Sequence, residues 1–518
     1  MQQFIKRHEN DIPGILSGFD RLRFRGTLRW LSSVRCLMKY LWKIQMRLTG
    51  FTDWAKGLTQ QVVQASEGLA AAAGRPVHYL YSSRESKEQR AQQIASADRV
   101  REGLICVLKC VETCHTFTVG PNPQRQKLEL RKFSGKCSHY YFYVMHPEFG
   151  LLHLRLQTWL PFTIQICLNG REWLARQLRQ AGIGFEQRDN CFVRIKDVAA
   201  AQRLADEQLR TDWSGLLNDL RRLYHPVHEA LFPQHLPEFY WSADETEWAT
   251  DVMFRSPAAL GQVYPGLVRH AVMAFGSEDV LRFLGRSPKV NLYRTSEVVT
   301  SLKVRPEGTC VKHRLNRNAI KMYDKQQSVL RVETTVNDPK DMKVLRPCEG
   351  HPKKAKTWQR LRKGVSDLYR RAEVSQKANE RYLDALAAVN HDQPLGESVR
   401  DLCQPTHWKG RRVRALQPLS PDDGRLLAAV NRGEFAINGF RNRDLRPLLF
   451  GAQQVAPEQL KRQGARITRQ LRMLRAHGLI RKVPKTHRYT LTSKGRLKIN
   501  ALLAAQQASS QQLAQLAA

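Results

Sequence analysis

The chain has 518 residues, 42% of them hydrophobic and 25% charged, an ordinary soluble balance for roughly three or four domains. Its 84 lysines and arginines face 47 aspartates and glutamates, a formal charge of +37. Such an excess repels itself in a compact state and so points to a polyanionic partner; with no apolar run of membrane-spanning length and no apolar signal core at the N-terminus, the expectation is a cytoplasmic protein that binds nucleic acid, not a membrane.

The ten cysteines are scattered, which reads as reduced thiols and not a disulfide framework. Residues 1–220 read as a mixed α+β module. A strand at Leu22 and Phe24 precedes helices over about Leu31–Arg47 and Trp54–Ala73. LICVLKCV (104–111), HYYFYVM (139–145), GLLHLRLQTWL (150–160) and FTIQICL (162–168) have strand patterning. Asn169 can cap a helix that ends at Gly182, and FVRIKD (192–197) is a strand ahead of a helix over 198–210. Residues 221–295, rich in Trp, His and Pro, read as a helical segment. Period two returns over 296–345 in SEVVTSLKVR, CVKHRL, AIKMYDK and VLRVETTV, a small antiparallel β module. Residues 346–417 are a basic helical connector and linker, with Trp358, Leu361, Val365 and Leu368 on one helical face, ahead of a last domain at 418–503 and a flexible tail at 504–518. The fold class expected is α+β multidomain.

In the last domain, Asp422 or Asp423 can cap a first helix ended by Gly433, and Asn442 can cap a second. Pro457 opens a third helix that stops at Gly478, and LIRKV and HRYTLT then form a hairpin. Ile467, Leu471 and Leu474 form the apolar stripe of the third helix, and Arg466, Arg469 and Arg472 lie off it. Between Lys461 and Asn500 there are thirteen Lys or Arg and no acid. Three helices followed by a two-stranded wing is the order of a winged helix, and LRMLRAHGLIRKVPKTHRYTLTSKGR resembles winged-helix proteins of the bacterial transcription-regulator type. The resemblance implies double-stranded DNA as partner, met by Arg466, Arg469, Arg472, Arg475, Arg481, Lys482, Lys485 and Arg488. Single-stranded DNA or RNA stays open as a further ligand.

The second informative stretch is AIKMYDKQQSVLRVETTV (319–336). Ile320 and Met322 face one way and Lys321, Tyr323 and Lys325 the other; Leu330, Val332 and Thr334 oppose Arg331, Glu333 and Thr335. Pairing would gather Lys321, Tyr323, Arg331 and Glu333 on one sheet face. That face is either a salt-bridged exterior or a catalytic surface, because Tyr can attack a phosphodiester, Lys and Arg can neutralise its charge, and Glu can hold magnesium or manganese. Tyr-Asp-Lys, a short loop and Leu-Arg-Val-Glu resemble a stretch of plasmid and phage rolling-circle replication initiators. The chain departs from that family in having no His-hydrophobic-His motif; His153, in the row His153, Arg155, Gln157, is the one histidine offered as a metal ligand. Over its full length the chain is similar to uncharacterised bacterial proteins, a resemblance that implies no function.

Weaker constellations are read mainly as structure. Cys106, Cys110 and Cys114 fit buried thiols better than zinc ligands, and Tyr140 to Tyr143 fit an aromatic core strand better than a base-stacking platform. Asp20, Glu112 and Asp189 could form a nuclease triad. No phosphate-binding glycine loop is present. Two functions follow: a DNA-binding protein of replication-initiator or mobile-element type that nicks or transfers a strand, and a non-enzymatic DNA-binding regulator or architectural protein.

Overall fold

The computed structural model describes residues 1–509 apart from 83–84, 226–227, 229–231, 233–238, 287–297, 306–307, 349–354, 388–394, 436–438, 452–454 and 485. Among these residues no helix is long and apolar enough to cross a membrane. The architecture is mixed α and β, built on a large sheet with smaller ones beside it.

In chain order the strands of the first 340 residues are β1 (Gly14–Leu28), β2 (Val77–Tyr79), β3 (Gly103–Asn122), β4 (Lys127–His146), β5 (Gly150–Gln157), β6 (Ile164–Asn169), β7 (Phe185–Arg188), β8 (Cys191–Ile195), β9 (Phe239–Met253), β10 (Val298–Arg305), β11 (Gly308–Leu315), β12 (Asn318–Lys325) and β13 (Val329–Val336). All but the β7–β8 hairpin join one eleven-stranded sheet in the order β10-β11-β12-β13-β9-β1-β6-β5-β4-β3-β2. The four strands expected over 296–345 are β10 to β13, but they are no separate module. β9 joins them to the N-terminal half by pairing antiparallel with both β1 and β13. It lies inside 221–295, where a helical segment was expected. Its sequence, FYWSADETEWATDVM, alternates with period two: Thr246, Trp248, Thr250 and Val252 on one face, Glu245, Glu247, Ala249 and Asp251 on the other.

The halves of the sheet share one plan. Each starts with a 15-residue strand, β1 or β9. Helices follow, and then four antiparallel strands, β3–β6 or β10–β13, whose last member returns to pair with the long one. On one face, the helix Phe51–Ala72 buries Phe51, Ala55, Leu58, Val62 and Ala70, at helical spacing, against the N-terminal half. The helix Leu368–Leu386 covers β9 and β13: Trp248 Nε1 donates to Gln376 (2.8 Å) and Asn379 Nδ2 to the Trp248 carbonyl (3.1 Å). The expected connector is thus part of the sheet's packing; Trp358, assigned to a helical face, lies in the short strand Thr357–Arg360 and is exposed.

On the opposite face, the helices Gly170–Gln180 and Val198–Glu207 and the β7–β8 hairpin cover β1 and β9 near the middle of the sheet. Gly170 makes the close approach possible, since a Cβ there would stand 2.4 Å from the Phe19 carbonyl oxygen. Asn169 caps the first of these helices, its Oδ1 accepting from the amides of Arg171 and Glu172.

The C-terminal elements are the helices Pro421–Val430, Asn442–Phe450 and Pro457–Ala476, the antiparallel strands Ile480–Lys482 and Tyr489–Leu491, and the helix Ser493–Gln507. Phe440 adds a third rung, exchanging backbone hydrogen bonds with Tyr489. Ser420, not Asp422 or Asp423, caps the first helix, which ends at Val430, ahead of Gly433; Arg441 precedes the second, so that Asn442 is its first residue. The apolar cluster here unites Leu426, Leu445, Ile467, Leu471 and Leu474 with Val399, Leu402 and Leu416, so this core begins upstream of 418. The final helix runs to Gln507, into the stretch 504–518 where a flexible tail was expected.

Candidate active site and basic surface

Three structural choices bring the central residues together. First, the β12–β13 turn sets Gln326 and Gln327 at φ 56° and 59°, a left-handed conformation that costs roughly 1–2 kcal/mol for each non-glycine residue. The register it closes pairs Lys321 with Glu333 and Tyr323 with Arg331. Second, the β13–β9 register sets Arg331 opposite Asp251. Third, β1 carries a bulge between Phe19 and Leu22, where Asp20 and Arg21 oppose the single residue Glu247. A bulge re-aims side chains. This one brings Asp20 to the face that carries Glu247 and Glu333, and ligand oxygens of these three residues all lie within 4.8 Å of one another.

Lys321 Nζ bridges Glu247 Oε1 (2.9 Å) and Glu333 Oε1 (2.6 Å), and Tyr323 Oη donates to Glu333 Oε2 (2.6 Å). Arg331 is fully buried, donating to Asp251 (2.5 and 2.9 Å), to Asp20 (3.0 Å) and to the Asn190 carbonyl at the tip of the β7–β8 hairpin (2.9 Å). All four residues expected to share a face therefore do. That face is a buried polar centre and not a solvated exterior, for Glu333 and Asp20 are buried too.

The electrostatics follow from crowding acids out of water. Burial, helped by Glu333, pushes the Glu247 carboxyl up to about 7. Burial also raises Asp20, against the pull of Arg331. Burial would raise Glu333 as well, but Lys321 and the Tyr323 hydrogen bond overcome it and hold that carboxyl at about 2. Burial and the Glu333 carboxylate lift the Tyr323 phenol well above its ordinary value, and the phenol donates its hydrogen bond to Glu333. Three clustered carboxylates form a hard oxygen-donor set that fits magnesium or manganese, and the lysine bridging two of them already marks the spot as one that attracts cations.

Replacing Arg331 by Leu should cost about 3–5 kcal/mol of stability, because the buried carboxylates of Asp20 and Asp251 would lose their shared cation, leaving Asp251 only Arg171 at 3.1 Å. Chemical denaturation of the variant against the natural chain measures it, and a loss under 1 kcal/mol would contradict this account of the centre.

Other expected site residues stand elsewhere. His153 on β5 is separated from β9 by β6 and β1, and it pairs across with Cys167 and Tyr143. Burial, with Arg21 and Arg23 adding to it, lowers its imidazole to about 4. It stands apart from the group of Asp20, Glu247 and Glu333, on the far side of β6 and β1. The proposed triad of Asp20, Glu112 and Asp189 is likewise not one cluster: Arg155 and Lys87 hold Glu112, and Lys325 holds Asp189. Cys106, Cys110 and Cys114 are buried, and burial raises the thiols of Cys106 and Cys110 to about 11. Tyr140 and Tyr141 point to opposite core clusters, as an aromatic core strand does. Sequence reasoning missed Glu247 and Asp251, whose signal was the alternation in β9.

On the helix Pro457–Ala476, Ile467, Leu471 and Leu474 are buried as expected, and Lys461, Arg462, Arg466, Arg469 and Arg472 are exposed. Arg469 and Arg472 make no hydrogen bond or ion pair among the described residues, whereas Arg466 donates to Asp422 (2.8 Å). A cavity of 390 Å³ beside this helix is lined by Arg412, Arg414, Arg466, Arg469 and Arg472. Several other expected cations are engaged within the fold. Arg475 lies 5.3 Å from the Trp408 ring centroid, Arg481 pairs with Glu278 and Arg488 donates to the Gly439 carbonyl; Lys482 is exposed, and Lys485 lies outside the described residues. Lys494 and Lys498 both bind Asp401 at 2.7 Å.

Compared with protein-family models, with curated proteins and with solved structures, the chain shows no match.

Proposed function

We propose that this is a DNA strand-nicking or strand-transfer protein, of the kind that starts replication or mobilises an element, and that its C-terminal helices and hairpin form a winged helix that docks on duplex DNA. The observation that carries the proposal is the Tyr323 hydroxyl 2.6 Å from Glu333, itself one of three clustered acids, with Lys321 and Arg331 on either side.

Each residue has a task in such a reaction. Glu333 orients the Tyr323 hydroxyl through the 2.6 Å hydrogen bond, and the Tyr323 oxygen bonds to phosphorus as its proton passes to solvent. The bond from phosphorus to one flanking sugar oxygen breaks, that oxygen takes a proton from solvent, and a phosphotyrosine ester remains. Lys321 offsets phosphate charge, and the buried Arg331 holds Asp20 and Asp251 in position. Magnesium or manganese held by Asp20, Glu247 and Glu333 would polarise the scissile phosphate.

The stretch from Lys461 to Asn500, with thirteen Lys or Arg and no acid, supports the docking half of the proposal. A non-enzymatic regulator would share that half and would use the buried acids only to hold the fold through Lys321 and Arg331. Supercoiled plasmid carrying the chain's own genomic neighbourhood, incubated with the protein and either metal, should become open circles bearing covalently attached protein. If neither nicks nor adduct form with either metal, the enzymatic reading is wrong and the regulator reading stands.

A further inference from the structure

Just ahead of the C-terminal helices the chain makes a small hairpin from the antiparallel strands Thr406–Trp408 and Arg411–Val413. Lys409 and Gly410 form its turn, at φ 51° and 73°, the left-handed pair that a tight two-residue turn needs. The hairpin is anchored beside the helix Pro457–Ala476. Val413 enters the apolar cluster of the C-terminal helices, and the Arg475 guanidinium lies 5.3 Å from the Trp408 ring centroid. His477 Nε2 is 3.0 Å from the Arg414 carbonyl oxygen, and the Arg414 guanidinium is tied to Asp423 by contacts of 2.6 and 2.8 Å.

This anchoring leaves three cations outside. Lys409, Arg411 and Arg412 are exposed, and none of them makes a hydrogen bond or ion pair among the described residues. Arg412 lines the 390 Å³ cavity together with Arg469 and Arg472, which are equally without a partner there. The one acid of that lining, Asp422, is already held by Arg425 (2.7 Å) and Arg466 (2.8 Å). The hairpin on the other side of the helix in sequence, 480–491, is differently committed. Arg481 pairs with Glu278 and Arg488 donates to the Gly439 carbonyl, so that Lys482 is its one described lysine or arginine without a hydrogen bond or ion pair.

We infer that hairpin 406–413 is a second DNA-binding element, in which Lys409, Arg411 and Arg412 hold backbone phosphates of the duplex next to those met by Arg469 and Arg472. The inference rests on the proposed docking through the C-terminal helices, and it adds a surface that three helices and a wing do not include. Charge complementarity selects the occupant. Three unpaired cations on the hairpin join two more on the helix through one cavity, and a row of cations of this kind matches the regular charges of a DNA backbone. Because the hairpin is fixed to the helix before DNA arrives, little freedom is lost on binding. Phosphate contacts carry no base sequence, so they position the duplex without choosing it.

The test uses the full chain with a chelator present, so that binding is read without chemistry. Fluorescence anisotropy follows titration with labelled duplex hairpins at several salt concentrations. Lys409→Ala, Arg411→Ala and Arg412→Ala together should weaken binding by about tenfold or more near physiological salt, and equally on two duplexes of unrelated sequence. The dependence of log affinity on log salt should flatten by up to about 2.7. Arg411→Lys with Arg412→Lys restores the charge and should keep affinity within about threefold of the natural chain. Lys127, Lys132 and Lys136 on β4 are the control of equal charge, exposed and without a hydrogen bond or ion pair among the described residues; their change to Ala should cost less than about twofold. An unchanged alanine triple would overturn the inference, as would a loss matched by the β4 control. Equal weakening by the lysine pair would also overturn it, since the hairpin's shape and not its charge would then be at stake. If the hairpin triple is silent while alanine at Arg466, Arg469 and Arg472 weakens binding, the docking reading stands without this element. If only the hairpin triple weakens binding, the hairpin stands and docking through the helix falls.

Discussion

Changing Tyr323 to Phe will abolish the covalent protein–DNA adduct, with residual strand cleavage at least about a thousandfold below the natural chain. The substitution keeps the ring beside Arg331, whose guanidinium lies 6.0 Å from the ring centroid, and removes one oxygen. The Glu333 carboxylate loses the hydrogen bond at 2.6 Å but keeps Lys321 at 2.6 Å, so the acid centre stays charge-compensated and the fold is not at risk. Duplex affinity should stay unchanged under the proposed docking through the C-terminal helices and hairpin. Denaturing gel electrophoresis after incubation with labelled plasmid and manganese reads adduct and nick together. Nicking that survives Tyr323→Phe at near-natural rate would show that the phenol is not the nucleophile; water attacking at Asp20, Glu247 and Glu333 would then be the next mechanism to examine, by Glu247→Gln.

How far the sequence foretold this site depends on how local each determinant is. Lys321, Tyr323, Arg331 and Glu333 were legible because they lie within fifteen residues, on two short strands whose period-two pattern and connecting turn define the register. Asp20 was weighed, but its place beside Glu247 depends on a bulge that no periodicity announces. Glu247 and Asp251 were hidden by composition: Trp, His and Pro around them suggested helices, and β9 is held as a strand by pairing with β1 and β13, far away in sequence. The same non-local pairing removed His153. Alternation on β5 could say which face it occupies, but only the strand order shows that β6 and β1 stand between it and β9. The division into N-terminal module, helical segment and β module failed for that reason too, since one central pair of strands turns them into a single sheet. The C-terminal elements were read closely because helix stripes, stops and a hairpin turn are all local signals.

Removing the charges of Arg466, Arg469 and Arg472 together by alanine substitution will weaken duplex binding by about a hundredfold near physiological salt. Each phosphate left without its arginine should also flatten the dependence of log affinity on log salt by about 0.9, so the triple variant should lose up to about 2.7 from the slope. The three side chains share the solvent side of the helix Pro457–Ala476, opposite Ile467, Leu471 and Leu474, and they line one cavity with Arg412 and Arg414. The helix itself should survive, for alanine favours helix and the one ion pair removed, Arg466 with Asp422, is exposed on both sides and adds little. Lys494 and Lys498 serve as the control of equal basicity. Both are already committed to Asp401, and Lys498 is buried, so neither is free to meet a phosphate. Replacing Lys494 by Ala should change duplex affinity by less than about twofold. Titration of the full chain with a duplex hairpin at several salt concentrations compares the two. Equal losses from the arginine triple and from Lys494→Ala would mean that overall charge, and not this helix, holds the duplex.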